Sequence, residues 1–196
     1  VADTKSEDLT DVDHYRKAKN LTAKFPTIVA AQTRISMGKD PIDPDPHLGH
    51  ASNYYYMLTG RVPDDTTLRT FESTLMLYAE HETNASTFAC RVVAGTLSDF
   101  YSAIVGAIGA VRGSLHGGAN EAAMELIEKF SSPEEATEGV LNMLERKEKI
   151  MGFGHRVYTT SDPRNAMVKS KAKALSEEAG DTLFYDVSEA IEKVMW

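Results

Sequence analysis

Apolar residues recur at helical spacing along nearly the whole chain. Leu48, Ala51, Tyr55 and Leu58 fall at i, i+3, i+7 and i+10. Asp45 is placed to cap that segment, with Pro46 at its first helical position and Gly60 as its stop. Leu68, Phe71, Leu75 and Tyr78 repeat the spacing after Pro63-Asp64-Asp65. Ser132-Pro133-Glu134-Glu135 predicts a capping box that opens a helix with Ala136, Val140, Met143 and Leu144 inward. Asp162-Pro163 is expected to open another, carrying Met167, Ala174 and Leu175, and Val187, Ile191, Val194 and Met195 pattern a last one. An early helix from about Tyr15 to Ile35 is expected to kink or split at Pro26, because proline lacks an N–H and its ring meets the preceding turn.

Tyr101 to Val111 has a different character. Ile104, Val105, Ile108 and Val111 form one face, while Ala103, Gly106, Ala107, Gly109 and Ala110 keep the rest small. A helix apolar or small all round predicts burial, as the centre of a bundle or as a dimer interface. One stretch, Arg91 to Thr96, has some strand character, but its flanks favour helix. Three punctuated segments separate the helices: the proline loop Lys39 to Pro46, Gly113 to Gly118, and Met151 to His155. The predicted fold class is all-α.

Composition narrows the partners. The chain has 196 residues, 42% of them hydrophobic and 26% charged, which is globular rather than disordered. A net charge of −8 argues against nucleic-acid or membrane-surface binding, while leaving room for a small anion in a local basic pocket. The single cysteine, Cys90, forms no internal disulfide and no thiolate cluster, which fits a reducing compartment. No stretch approaches the ~20 apolar residues of a membrane span and no signal-peptide pattern is present, so a cytoplasmic location is expected. The chain starts at Val1 and stops at Trp196 inside a helical pattern, so it reads as a fragment.

Three histidines and one arginine stand in settings suited to chemistry. His116, in Ser114-Leu115-His116-Gly117-Gly118-Ala119-Asn120, precedes a helix start, where free N–H groups attract developing negative charge. His155 lies in Gly152-Phe153-Gly154-His155-Arg156, where glycines let a ligand approach backbone. His81 lies in Ala79-Glu80-His81-Glu82-Thr83-Asn84-Ala85-Ser86, at the polar end of the Leu68–Tyr78 helix. Arg164 falls in a helix's first turn, where the dipole disfavours a cation, so an anionic partner is expected. Taken singly, each is more often a solvated or packed hydrogen bonder. His47 and His50 share a helix face without a carboxylate partner or HExxH motif, which argues against a metal site. Gly152-x-Gly154 lacks the strand and third glycine of a dinucleotide fingerprint. Glu145-Arg146-Lys147-Glu148-Lys149 reads as a solvated helix end.

Together these segments are specific. Ser114-Leu115-His116-Gly117-Gly118-Ala119-Asn120-Glu121, then Gly152-Phe153-Gly154-His155-Arg156-Val157-Tyr158, then Asp162-Pro163-Arg164 closely resemble the citrate synthase family. His81-Glu82-Thr83-Asn84-Ala85-Ser86-Thr87-Phe88 is similar to a third family motif, and all occur in family order between about Lys39 and Trp196. Tyr158-Thr159-Thr160-Ser161-Asp162-Pro163-Arg164 and Val194-Met195-Trp196 look most like the 2-methylcitrate synthases within it.

The resemblance implies an acyltransferase that converts the acyl group into alkyl on transfer. It would condense acetyl-CoA or propionyl-CoA with oxaloacetate and hydrolyse the thioester, using no metal and no cofactor beyond the CoA thioester substrate. On that likeness His116 stabilises the enol, His155 donates to the ketone of oxaloacetate, and His81 and Arg164 hold its oxygens. Lys149, Ile150, Met151, Gly152 and Gly154 would lie against CoA. The family's aspartate base would fall beyond Trp196, so this chain alone is expected to be inactive. Residues 1–115 would be part of a large helical domain and 116–196 a truncated small one, in a homodimer. The competing readings are a non-catalytic acyl-CoA-binding helical module and a relative that cleaves citryl-CoA.

Overall fold

The structure is a computed structural model describing residues 3–79, 83–155 and 158–196. Among the described residues it is all-helical, as the periodicity predicts, and the chain separates into two compact units, Val1–Ala107 and Ile108–Trp196.

In the first unit α1 (Asp11–Ser36) is opened by Thr10, whose hydroxyl oxygen accepts from the Asp13 N–H at 3.4 Å. Acids in its first turn and Arg34 in its last suit the helix dipole. The helix is not split at Pro26. The proline lies inside one unbroken helix, buried with Ala30, and α1 packs on α2. That packing offsets a helix-interior proline's cost of roughly 3 kcal/mol.

Helix α2 (His50–Thr59) starts at Gly49 rather than at Asp45-Pro46. Asp45 instead closes a tight turn: its Oδ1 accepts from the His47 N–H at 2.8 Å. The Asn53 amide then grips Asp45 from the helix, accepting from its N–H at 3.0 Å and donating to its carbonyl at 2.8 Å. The same carboxylate that could cap a helix makes a loop when an asparagine pins the backbone behind it. Gly60 ends α2 at φ +79°, as expected.

Helix α3 (Asp65–Ala79) is capped by Asp64, whose Oδ1 accepts from the Thr67 N–H at 2.8 Å. In α4 (Ala85–Gly95) Asn84 does the same for the Thr87 N–H at 2.9 Å, and this helix takes up most of the one strand-like stretch. Helix α5 (Phe100–Val111) is not a buried central helix. Ala103 alone is buried, whereas Val105 is 66% and Ile108 48% exposed. Gly106 does bring it close to α4, since a Cβ there would sit 3.1 Å from Val93 Cγ2.

The second unit holds α6 (Gly118–Ile127), α7 (Pro133–Glu145), α8 (Asn165–Ala179) and α9 (Leu183–Met195). Helix α7 packs on α9, and Leu126, Phe130, Ala136, Val140, Ile150, Val187 and Ile191 form one buried cluster. Ser132 caps α7 as predicted, its Oγ accepting from the Glu135 N–H at 3.2 Å. The Glu135 carboxylate reaches one residue further back than the capping box requires, to the Ser131 N–H and hydroxyl. Helix α8 departs from expectation. It begins at Asn165 and buries none of its residues, leaving Met167 50% exposed.

Candidate functional site

Two loops and two helix starts of the second unit carry three of the four residues singled out above. After α5 the chain folds back on itself, with the His116 N–H donating to the Gly113 carbonyl at 2.9 Å and the Gly118 N–H to the same oxygen at 3.1 Å. The two glycines that follow are demanded by space. A Cβ on Gly117 would come within 2.5 Å of the Val111 carbonyl oxygen, and one on Gly118 within 3.1 Å of the carbonyls of Arg112 and Gly113. His116 is half-buried, one residue before the Gly117 N-cap of α6, as expected.

Between α7 and α8 the 146–164 loop is anchored by two apolar side chains. Ile150 joins the buried cluster and Phe153 packs against it, while Gly152 and Gly154 adopt φ of +98° and +79° and stay exposed. Those two φ values suit glycine, and the backbone they shape is what the segment can offer a ligand. Ile150 itself is 5% exposed, so its side chain serves the core. Lys149 is exposed and Met151 half-buried. A Cβ on Gly152 would rest 3.5 Å from Ala123 Cβ, which seats the loop on α6, the helix that starts beyond His116.

His155 follows directly. Its Nδ1 accepts from the Tyr158 N–H at 3.2 Å, and its ring stacks on the Tyr158 ring at 4.6 Å and 26°. A ring nitrogen that accepts a backbone N–H carries no proton, so the proton is on Nε2, which acts as donor. Tyr158 fixes this tautomer and ring plane.

Arg164 is the N-cap position of α8 rather than a residue of its first turn. The anionic partner expected for it is within the chain: Asp162. Nη2 donates to Asp162 Oδ2 at 2.6 Å and Nε to both carboxylate oxygens at 3.0 and 3.2 Å. The Asp162 carboxylate also accepts from the Arg164 N–H at 2.9 Å. Both side chains are partly buried, at 23% and 30% exposure. A guanidinium held this way keeps a fixed plane, which suits bidentate recognition of a carboxylate. The spacing of Asp162 two residues before Arg164 was the available signal.

The structure thus places His155 and Arg164 on one loop, and that loop against α6. His81 lies outside the described residues. His47 and His50 are exposed at the entry to α2, and among the described residues no three His, Cys, Asp or Glu side chains gather to hold a metal ion.

Comparisons with known proteins identify the family to which the chain is similar. The family model described as citrate synthase, C-terminal domain, matches residues 1–196. A citrate synthase of Haloferax volcanii is 46% identical over 189 residues, covering 95% of this chain and 50% of that protein. A 2-methylcitrate synthase of Shewanella oneidensis is 47% identical over 182 residues, covering 91% and 48%. Among solved structures, a citrate synthase of Thermoplasma acidophilum in a ternary complex with carboxymethyl coenzyme A and oxaloacetate superposes with a TM-score of 0.87. That likeness is at 31% identity and covers 94% of this chain and 49% of the other. The chain spans about half the length of the curated relatives it matches.

Proposed function

The chain belongs to the citrate synthase family, and from that premise we propose that it supplies the oxaloacetate-polarising half of an acyl-CoA condensing site. The observation that carries the reading is the orientation of His155. With Nδ1 occupied by the Tyr158 N–H, Nε2–H is the donor, the form needed to bind the ketone oxygen of oxaloacetate and draw charge from the carbon under attack. Arg164, set in plane by Asp162, and His81 bind the oxygens of the same substrate.

His116 serves the other substrate. Removing a proton beside a thioester is costly at neutral pH unless the enolate oxygen is stabilised as it forms. A histidine one residue before an N-cap stands where α6 concentrates positive potential. It donates to the thioester oxygen while a carboxylate base takes the α-proton, the enol attacks the polarised ketone, a C–C bond forms as the ketone oxygen takes up the proton of His155 Nε2, and water then hydrolyses the thioester to release CoA. The exposed backbone at Gly152 and Gly154, with Lys149 beside it, contacts CoA. Residues 1–115 belong to the large domain and 116–196 to the small one. The assembly is a homodimer, supported by apolar side chains left open on α3 and α5, such as Met76 and Val105.

Relatives of both acyl preferences match at nearly equal identity, so acetyl-CoA and propionyl-CoA are both taken as substrates of the class. The test uses a chain of the relatives' full length that carries these 196 residues. His155→Ala is expected to lower kcat by roughly 10²–10³-fold with either acyl-CoA, as for loss of one oxyanion donor. Unchanged kcat overturns the role assigned to His155. The ratio of kcat/KM for propionyl-CoA over acetyl-CoA then fixes the acyl preference, within the ~10–200-fold that one methylene supports.

A further inference from the structure

Helix α8 presents Arg164 at its first end and yet buries none of its own residues. An element without a buried apolar stripe needs another means of being held in direction. What ties it to α9 is a polar clamp centred on Glu192. Oε1 accepts from Asn165 Nδ2 at 2.9 Å and Oε2 from Lys169 Nζ at 2.6 Å. Asn165 and Lys169 are four residues apart, so they stand on one face of α8 and a single carboxylate spans both. Lys169 also lies 3.5 Å from Glu189, which is in turn held by Lys193 at 2.9 Å. The clamp spans Asn165 to Lys169 at the start of α8, and Asn165 is the residue directly after Arg164. Helix α9 is itself fixed, because Val187 and Ile191 are in the buried cluster with Val140 of α7.

We infer that Glu192 is a positioning residue for Arg164: by gripping Asn165 and Lys169 from the rigid α9 it sets the direction in which α8 presents the guanidinium to a substrate carboxylate. Two supports then act on one side chain. Asp162 fixes the plane of the guanidinium from its own loop, and Glu192 fixes the helix end from which that side chain departs. Burial and the Lys169 ammonium act on Glu192 in opposite senses, and the lowered carboxyl pKa reports that the ammonium contact prevails. The Lys169 ammonium is correspondingly raised by Glu192. The inference rests on the proposed role of Arg164 as a binder of oxaloacetate.

The test is a double-mutant cycle in a chain of the relatives' full length that carries this segment. Glu192→Ala is expected to raise KM for oxaloacetate about tenfold, with kcat and the acyl-CoA KM changed less than about twofold, because only positioning is lost. In an Arg164→Ala background the same substitution should add nothing, which a general loss of stability would not reproduce. Lys169→Gln, which leaves the Asn165 contact in place, should give a smaller rise in the same KM and serves if Glu192→Ala does not fold. If Arg164→Ala leaves KM for oxaloacetate unchanged, the reading of Arg164 fails. If Arg164→Ala raises it while Glu192→Ala and Lys169→Gln do not, or if Glu192→Ala costs the same in both backgrounds, the positioning role is overturned and the reading of Arg164 stands.

Discussion

The two units are held together by different physics. In the second, seven apolar side chains close on one another, and among the described residues that unit buries no charge. In the first, the most completely buried side chain among the described residues is a lysine. Lys17 is fully enclosed and donates to the carbonyls of Ser6 at 2.7 Å and Asp8 at 2.6 Å, with Asp13 Oδ2 at 2.9 Å as the third partner. Two carbonyl hydrogen bonds and one ion pair thus offset the burial of the ammonium. Around this core Arg16 bridges Asp3 and Asp13, and the Tyr101 hydroxyl donates to Asp3 at 2.5 Å. Burial is non-directional and tolerates repacking, whereas a buried charge specifies its partners one by one. The first unit consequently ties residues 3–8 to α1 and α5 by direction, and leaves Phe88, Val92 and Val105 open to solvent.

A charge placed inside the apolar unit is the hardest test of that contrast. Val140→Asp puts a carboxylate where exposure is 0% and no cation is at hand among the cluster residues. It should cost more than about 4 kcal/mol. Hydrogen exchange should lose protection across α6, α7 and α9 while α1 and α2 keep theirs. Loss of protection in α1 at the same rate would mean that the units do not fold separately, and the contrast would fail.

The reverse substitution tests the other side. Lys17→Met keeps the volume but leaves two carbonyls without their donor and Asp13 Oδ2 without its ammonium, Arg16 holding only Oδ1, and breaking a buried pair is strongly destabilising. We expect Tm to fall on the order of 10 °C in thermal melts followed by circular dichroism. A Tm within about 2 °C of the parent would show that the ammonium is dispensable to the first unit.

Most of the helices were legible because their signals are local. Ser132-Pro133, Asn84 and Gly60 act through atoms a few residues away, and the structure uses them as read. The readings that fail depend on something distant. Pro26 does not split α1, and it lies buried within a helix that packs on α2. Asp45 turns a loop because Asn53 reaches back to it. Helix α5 has a composition that predicts burial, but an apolar face does not say whose surface covers it, and within this chain it is largely open. At the site, the glycines beside His116 and His155 were legible from the turns they permit. The Asp162 contact had a local signal in its spacing from Arg164, whereas the Tyr158 contact with His155 depends on how the loop closes.

A subtler probe asks whether the second unit's packing is as tight as its composition allows. Gly139 lies inside α7, where alanine would ordinarily gain up to ~1 kcal/mol of helix stability. Here a Cβ would stand 2.4 Å from Phe130 Cε1, against a ring that is itself 9% exposed. Overpacking should win, so Gly139→Ala is expected to destabilise by about 1–3 kcal/mol in urea titrations. Adding Phe130→Leu should return part of that loss. A stabilising Gly139→Ala would show that the ring moves aside freely and that the apolar unit is looser than described.

The smallest effect concerns the polar unit at low pH. Asp3 is held down to about 2 from 3.8, first by the Tyr101 hydroxyl, then by the Lys5 N–H, with Arg16 adding to both. A carboxyl with a depressed folded-state pKa binds its proton more readily when unfolded. Its contribution is therefore complete above about pH 4, shrinks as pH falls from there, and is gone below about 2. Asp3→Asn should then be less stable than the parent at pH 6, with the gap closing between pH 4 and pH 2. The carboxylate is close to solvent, so salt should narrow the gap as well. Denaturant midpoints at pH 6, 4, 3 and 2 provide the measurement. A gap that stays constant across that range would assign the loss to the shape of the Asp3 side chain rather than its charge, and the first unit's clasp would then owe less to ionisation than the Lys17 substitution implies.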